Sequence, residues 1–320
     1  MKKKKLFSII IPVKKINDYI LLNVKEIKKQ LKKSYEIIIV TDRQNLSSKF
    51  LNEKNIKTIS SGIVGPARKR DIGFKHSCGE IIVFLDDDSY PAKNFFETAR
   101  KIFRKKTIKV IGGPGMTPLK SSISEKLSGI FFSSFLGGGF PERYYPIGKL
   151  RFVEEWPTVN FLMRRITFKK VRGFGKDIWP GEDSFICKKL KNFGEKIYYE
   201  PRLKVWHHRR SSFLLHIKQV ANYGLLRGRL CSENLNFKND LKYYIPSVWF
   251  IILNILFFYS IKFNFLYLKL FLLFYFSIIF ITLCFGYSKK NIFLNFVSLI
   301  YFFFSHFFYA INFLRSFIFR

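Results

Sequence analysis

The sequence predicts an α/β protein: a mostly parallel sheet flanked by helices, followed by C-terminal transmembrane helices. Three observations carry this reading. Over the first hundred residues, short and nearly unbroken apolar runs alternate with amphipathic stretches, the pattern of doubly buried strands joined by crossover helices. Carboxylates and polar residues stand directly after those runs, above all Asp86-Asp87-Asp88 behind Phe84-Leu85. From Ile245 to Arg320 there is no Asp or Glu, and Phe, Ile, Leu and Tyr dominate, as expected of bilayer-spanning helices.

The elements follow in order. Phe7 to Val13 reads as a first strand. Although lysines precede it, this stretch is too short for a signal peptide and runs into Pro-Val-Lys-Lys. Asn17 or Asp18 caps a helix with apolar positions at Ile20, Val24, Ile27 and Leu31. Glu36–Val40 and Ile56–Ile59 are the next strands, and Pro66–Ser77 is a helix with proline in its first turn. Ile81–Leu85 is the fourth strand, and Asn94–Phe103 another helix. Residues 113–150 are irregular and rich in Gly, Ser and Pro, with an apolar stretch Ile130–Leu136 that reads as a mobile loop or a short membrane-facing helix. Thr158–Met163 resumes as a strand, Gly181-Glu182-Asp183 opens a helix to about Asn192, and Lys196–Tyr199 is a short strand. Beyond Trp206 the pattern is amphipathic and cationic, a helix suited to the membrane interface. Hydrophobic spans follow at about 245–261, 265–286 and 292–314. Lys289 and Lys290 mark a cytoplasmic turn, whereas Arg315 and Arg320 would then lie outside, so two spans plus an interfacial helix compete with three.

The charge is uneven. Of 56 basic and 22 acidic residues, only six basic ones lie beyond residue 244. The basic surface therefore belongs to the front domain, where it fits an anionic leaflet or a phosphorylated substrate. No nucleic-acid-binding signature accompanies it. Four scattered cysteines, without paired metal-ligand spacing, read as reduced.

Three adjacent carboxylates repel one another, and a divalent cation with hard oxygen ligands removes that conflict while holding a diphosphate. Pro12, Asp42 and Asp86–Asp88 all fall at strand ends, and ligands of open α/β sheets gather beyond the carboxyl ends of strands. Glu182-Asp183 is a second carboxylate pair, at a helix start where amide dipoles hold an acid ionised. A plain helix cap would explain one acid there, not two.

These pieces together resemble a membrane-anchored bacterial family 2 glycosyltransferase of GT-A fold, nearest to the succinoglycan-biosynthesis type. The resemblance rests on Ser8-Ile9-Ile10-Ile11-Pro12, on Ala67 to Gly73, and on Phe84-Leu85-Asp86-Asp87-Asp88. It continues through Gly173-Phe174, Gly181-Glu182-Asp183 and His207-His208-Arg209-Arg210-Ser211 to Gln219, Tyr223-Gly224 and Arg227-Gly228. It covers about 5–230 and, more loosely, the hydrophobic tail.

The resemblance implies an inverting transfer from a nucleotide-diphosphate sugar, with Mg²⁺ or Mn²⁺ as cofactor. Pro12 and Asp42 would line the nucleobase pocket, and Arg68 would approach the base or diphosphate. Asp86 would contact the ribose or metal-bound water, Asp88 would hold the cation, and Asp87 would support them. Asp183 is the expected base and Glu182 an acceptor contact. Either His207 or His208 would complete the metal shell; His207 is favoured, with Arg209 on the diphosphate.

One departure bears on the product. The Gln-x-x-Arg-Trp signature of processive synthases is missing from Gln219-Val220-Ala221-Asn222-Tyr223. A single-sugar transfer to a lipid-linked glycan is therefore expected, in cell-surface polysaccharide or glycolipid biosynthesis. Transfer directly to polyprenyl phosphate is the alternative, and a non-catalytic basic protein binding membrane or nucleic acid is a third that leaves the carboxylates unexplained. The expected organisation is a catalytic domain over 1–210, an interfacial helix and linker over 211–244, and spans over 245–320. The protein would be a multi-pass inner-membrane protein with its catalytic domain in the cytoplasm.

Overall fold

The structure is a computed structural model that describes residues 5–43, 53–177, 181–233, 237–285 and 291–318. The expected turn at Lys289-Lys290, and Arg320, lie outside the described residues. In chain order the elements are β1 (Phe7–Pro12), α1 (Asp18–Gln30), β2 (Tyr35–Thr41), β3 (Ile56–Ser60), α2 (Pro66–Lys75), β4 (Ile81–Leu85) and β5 (Ser89–Pro91). Next come α3 (Phe95–Phe103), β6 (Val110–Gly112), β7 (Gly115–Met116), α4 (Ile123–Ser133), α5 (Phe135–Gly138) and a 3-10 turn at Pro141–Arg143. Then follow β8 (Arg151–Val153), β9 (Asn160–Arg164), α6 (Arg165–Lys170), α7 (Glu182–Asn192), β10 (Ile197–Tyr199) and β11 (Val205–His207). The chain ends with α8 (Phe213–Glu233), α9 (Phe237–Lys262), α10 (Leu266–Phe285) and α11 (Ile292–Ile318).

The chain divides into two compact units. The first comprises 1–118 and 145–208, the second 119–144 and 209–320. Residues 119–144, which the sequence sets within 1–210, thus pack with the helical unit. The reason is apolar contact: Phe131 and Phe132 of α4 join Val220 of α8, Ile279 and Leu283 of α10 and Phe302 of α11 in one buried cluster.

In the first unit, eight strands run in the order β3-β2-β1-β4-β9-β6-β10-β8. β1 pairs in parallel with β2 and β4, and β2 with β3, while β9 runs antiparallel to both β4 and β6. The apolar runs are buried on both faces, as their composition requires. Phe7, Ile9 and Ile11 of β1 meet Ile20, Val24 and Ile27 of α1 and Phe95 and Phe96 of α3 on one side. Ile10, with Phe84 of β4, meets Ala67 of α2, Phe168 of α6 and Ile186 and Leu190 of α7 on the other. Alternate side chains of a strand point to opposite faces, so one hexapeptide serves both layers. A small second sheet, β5-β11-β7, was not legible in the sequence because its strands are two or three residues long.

In the second unit, α9, α10 and α11 include three stretches long and apolar enough to cross a membrane: Leu241–Lys262, Leu266–Phe285 and Ile292–Ile318. α8 does not lie as a free amphipathic helix; it packs along α11. Gly224 and Gly228 make the close approach possible, since a Cβ at Gly224 would stand 2.3 Å from the Tyr309 carbonyl oxygen and one at Gly228 would stand 1.9 Å from Ser316 Oγ. This is the small-xxx-small geometry of tightly packed membrane helices. His216 of α8 is fully buried and bridges Ser128 of α4 (2.8 Å) and Ser305 of α11 (2.9 Å).

Candidate active site

β1, β2 and β4 run in parallel and end together at Pro12, Thr41 and Leu85. β9 runs the other way, with Asn160 opposite Leu85, so its beginning lies at this same edge. Pro12, Asp42, Asp86–Asp88 and Thr158 are brought together there by topology alone.

The three aspartate side chains diverge, each to a different partner. Asp86 Oδ1 accepts from Arg70 Nη2 at 2.6 Å. Asp87 Oδ2 accepts from Asn17 Nδ2 at 3.1 Å, and Asn17 Oδ1 in turn caps α1 by accepting from the Ile20 amide. Asp88 Oδ1 lies 3.2 Å from His207 Nε2. The divergence starts in the backbone. Asn23 of α1 donates to the Asp86 carbonyl, and so does the Ser89 amide, turning the chain from β4 into β5. β5 then pairs antiparallel with β11, setting Ser89 opposite His207, and the His208 amide donates to the Asp88 carbonyl. Burial, and then the charges of Asp88 and Asp86, push the Asp87 carboxyl up to about 6.

Asp88 and His207 supply one carboxylate oxygen and one imidazole nitrogen, both partly exposed. Among the described residues no set of three or more His, Cys, Asp or Glu is arranged to hold a metal. A two-donor site suits a cation that takes its remaining ligands from phosphate oxygens and water, the habit of Mg²⁺ and its congeners. The residues present therefore fit a divalent cation shared with a diphosphate. His208, the alternative histidine, packs instead against the rings of Tyr19 (4.6 Å) and Tyr90 (6.0 Å).

The cation at the centre of the site is Arg70, two residues beyond the expected Arg68. Arg68 is exposed, whereas Lys69 and Arg70 are buried. Lys69 Nζ donates to the Val13 carbonyl at 2.6 Å and pairs with Asp42. Arg70 reaches Asp86 through Nη2 and Glu182 Oε1 through Nη1 at 3.5 Å. Burial alone would lower its pKa, but Asp86, Asp183 and Glu182 outweigh that and raise it. The signal was present in the helical spacing: Ala67, Arg70 and Gly73 recur every three residues on the buried face of α2.

Glu182 and Asp183 open α7, preceded by Gly181 at φ +114°, a conformation that favours glycine. Asp183 Oδ1 accepts from the Thr158 amide at 3.1 Å and from the Thr158 hydroxyl. Burial raises the pKa of both carboxyls. For Glu182 the charge of Asp183 adds to it and Arg70 opposes it; for Asp183, Arg70 and Thr158 oppose it without cancelling it. Desolvation thus works against the helix dipoles that favour the ionised acids. Thr158, the buried anchor of Asp183, was missed; a lone threonine before a strand gives no signal. Arg209 falls in the second unit, its guanidinium 4.8 Å from the Tyr144 ring centroid.

This architecture, a mostly parallel sheet whose carboxyl edge gathers acidic residues, defines a GT-A-like domain. Its backbone superimposes with TM-score 0.51 on the mannosyltransferase PcManGT of Pyrobaculum calidifontis, solved with GDP-mannose and Mn²⁺; identity is 14% over 77% of this chain and 71% of that one. Residues 8–166 match the family described as Glycosyl transferase family 2, and the chain carries a family 2 glycosyltransferase domain over them. It is 26% identical over 160 residues to a pre-mycofactocin glycosyltransferase of Mycobacterium tuberculosis, covering 50% of this chain and 33% of that protein. It is 25% identical over 210 residues to the dolichyl N-acetyl-α-D-glucosaminyl phosphate 3-β-D-2,3-diacetamido-2,3-dideoxy-β-D-glucuronosyltransferase of Methanococcus voltae, covering 62% and 64%. The matches thus span about a third to two thirds of these relatives' lengths.

Proposed function

We propose that the protein is an inverting, metal-dependent glycosyltransferase that moves one sugar from a nucleotide-diphosphate sugar to a lipid-linked glycan, its catalytic unit on the cytoplasmic side of the membrane. The observation that carries this reading is the placement of Asp88–His207 and of the Arg70-linked acids Asp86, Glu182 and Asp183 at one sheet edge. The Methanococcus voltae relative, named for a dolichyl phosphate-linked sugar, and the three long apolar helices support a lipid-linked acceptor.

In this reading Pro12 and Asp42 border the base, and Lys69 holds Asp42 in place. Asp86, fixed by Arg70, meets the ribose side of the donor. Asp88 and His207 would hold the divalent cation, which supplies Lewis-acid stabilisation of the leaving nucleotide diphosphate. Asp183 takes the proton from the acceptor hydroxyl as its oxygen bonds to the anomeric carbon and the bond from that carbon to the diphosphate breaks. A base works best with a pKa near the operating pH, and burial moves Asp183 in that direction. Thr158 is a positioning residue, orienting Asp183 through Oδ1. A phosphate nucleophile needs no such base, so the buried acids favour a hydroxyl acceptor over direct transfer to polyprenyl phosphate.

The test uses full-length protein in detergent with nucleotide-sugar donors, membrane lipid extract and Mn²⁺ or Mg²⁺. Lipid-linked product should appear with metal and vanish with chelator. Asp183→Asn should lower transfer by about three orders of magnitude or more while calorimetry still shows nucleotide-diphosphate binding. Full activity in Asp183→Asn would remove it as the base.

A further inference from the structure

Gly173-Phe174 lies between α6 and α7 and has no place in the donor site, yet it is held from two helices at once. Asp71 of α2 accepts through Oδ1 from the Phe174 amide at 2.9 Å and through Oδ2 from the Gly175 amide at 2.8 Å. Lys189 of α7 donates from Nζ to the Gly173 carbonyl, and to those of Phe174 at 3.3 Å and Arg172 at 3.4 Å. A carboxylate thus takes the amides of the turn and an ammonium takes its carbonyls, both in charge-assisted bonds. The approach needs glycine: a Cβ at residue 173 would stand 2.4 Å from Asp71 Oδ1.

The turn carries Phe174 into the core, where its side chain is fully buried. Its ring centroid lies 5.8 Å from the ring of Phe84, in the strand that leads to Asp86, and 5.8 Å from the Arg70 guanidinium. An aromatic ring at that distance attracts a cation. Arg70 Nε is buried and, among the described residues, has no hydrogen-bond partner. The guanidinium is therefore held by its two Nη atoms, on Asp86 and Glu182, and by the ring. Asp71 follows Arg70 directly on α2, and Lys189 lies about two turns beyond Glu182 on α7. The two helices are thus joined at two levels, by Arg70–Glu182 at the sheet edge and through the 173–175 turn farther along.

We propose that Asp71, Lys189 and Phe174 are positioning residues for the acidic edge: the first two clamp the turn between α2 and α7, and Phe174 on that turn holds the Arg70 guanidinium against Asp86 and Glu182. Their part in catalysis rests on the transferase reading above; the clamp does not.

Full-length protein in detergent tests it, through sugar transfer with Mn²⁺ and lipid extract and through hydrogen exchange. Asp71→Ala, Lys189→Met and Phe174→Leu should each lower kcat about tenfold to a hundredfold. Lys189→Arg, which can donate to the same carbonyls, should recover most of the rate. Asp71→Ala combined with Lys189→Met should be little worse than the poorer single variant, because both act through one turn. Asp183 meets Arg70 from α2, Asp86 beyond β4 and Thr158 before β9, with Glu182 beside it, and Arg70 is the cation among them that favours its ionised form. Loosening Arg70 should therefore move the acid limb of the kcat profile to higher pH, which a loss of folded protein alone does not do. Lys189→Met should also hasten amide exchange at Phe174 and Gly175, whose acceptor stands on the other helix. Wild-type rates with an unshifted limb, losses that multiply in the double variant, or a rate that merely tracks the folded fraction would each overturn the proposal. Unchanged exchange in Lys189→Met would overturn the clamp itself. A wild-type chain that transfers no sugar would sink the transferase reading instead, and exchange would then decide the clamp alone.

Discussion

The α/β unit and the three long apolar helices bury polar groups by opposite rules. In the α/β unit, charges are taken inside: Glu36, Lys69, Arg70, Glu182, Glu195 and Glu200 are all buried. Each has an opposite charge within ion-pair distance, as Arg70 has in Asp86 and Glu182. In α9–α11 the buried polar residues among those described are Ser247, Ser260, Asn295, Ser298, Ser305 and Ser316, all neutral. Several polar side chains there bond to their own helix: Ser260 donates to the Leu256 carbonyl, Ser298 to Asn295 and Ser316 to Phe313. A buried charge is tolerable only where geometry supplies its counter-charge. In an apolar helix, a serine can satisfy its hydroxyl on a carbonyl of its own preceding turn.

The largest expected effect breaks the first rule. Arg70→Met would leave Glu182, Asp183 and Asp86 facing one another without their shared cation, at a cost of about 3–5 kcal/mol. The thermal midpoint should fall steeply and transfer should cease, whereas Arg68→Met, at an exposed site, should leave the midpoint within a degree or two. Equal stability of the two variants would mean that the buried ion network is not what holds this edge.

Next comes the packing on which the helical unit depends. Gly228→Val would drive a branched side chain into Ser316 and the Phe313 carbonyl, costing about 1–3 kcal/mol. Earlier thermal unfolding in detergent should follow, with nucleotide binding at the α/β unit unchanged. Retained stability would show that α8 and α11 can separate freely.

The two remaining predictions sharpen the electrostatic half of the contrast through pH. Burial would raise the Glu36 carboxyl, but hydrogen bonds from the Ser8 hydroxyl and Cys78 amide, with Lys5 nearby, outweigh it and lower the pKa from 4.5 to about 2. Its contribution is present above pH 4.5 and is lost as pH falls toward 2. Glu36→Gln should therefore cost about 2 kcal/mol at neutral pH and little at the acid end of a denaturation series.

Asp87 has the opposite sign. Its folded pKa is raised from 3.8 to about 6, so between those values the folded chain holds a proton that the unfolded chain has released. That contribution to stability declines as pH rises through this window and stays lost above it. Asp87→Asn should flatten the slope and raise the thermal midpoint by a few degrees at pH 7.5. A lowered midpoint there would mean that Asp87 is satisfied as an anion.

Much of the fold was legible because local chemistry imposed it. Ile81–Leu85 was placed to the residue, and β1, α2, α3 and α7 to within one or two. An unbroken apolar pentapeptide between glycine and carboxylates has few alternatives to a buried strand. The three apolar runs were legible as hydrophobic segments, but the sequence left two spans or three open, and α9 begins eight residues before the expected start at 245. The small β5-β11-β7 sheet was not legible, yet it is what carries His207 to Asp88 across more than a hundred residues.

The candidate site divides along the same line. The sequence by itself determined which carboxylates gather at the sheet edge, because strand periodicity and parallel order leave Pro12, Asp42 and Asp86–Asp88 no other end to occupy. Tertiary structure alone decided how they are used. Helical phase turned Arg70 inward and left Arg68 outside, antiparallel β9 brought Thr158 to Asp183, and burial raised the pKa of the Glu182 and Asp183 carboxyls. Partners and desolvation depend on residues far apart in the chain, and no local pattern encodes them.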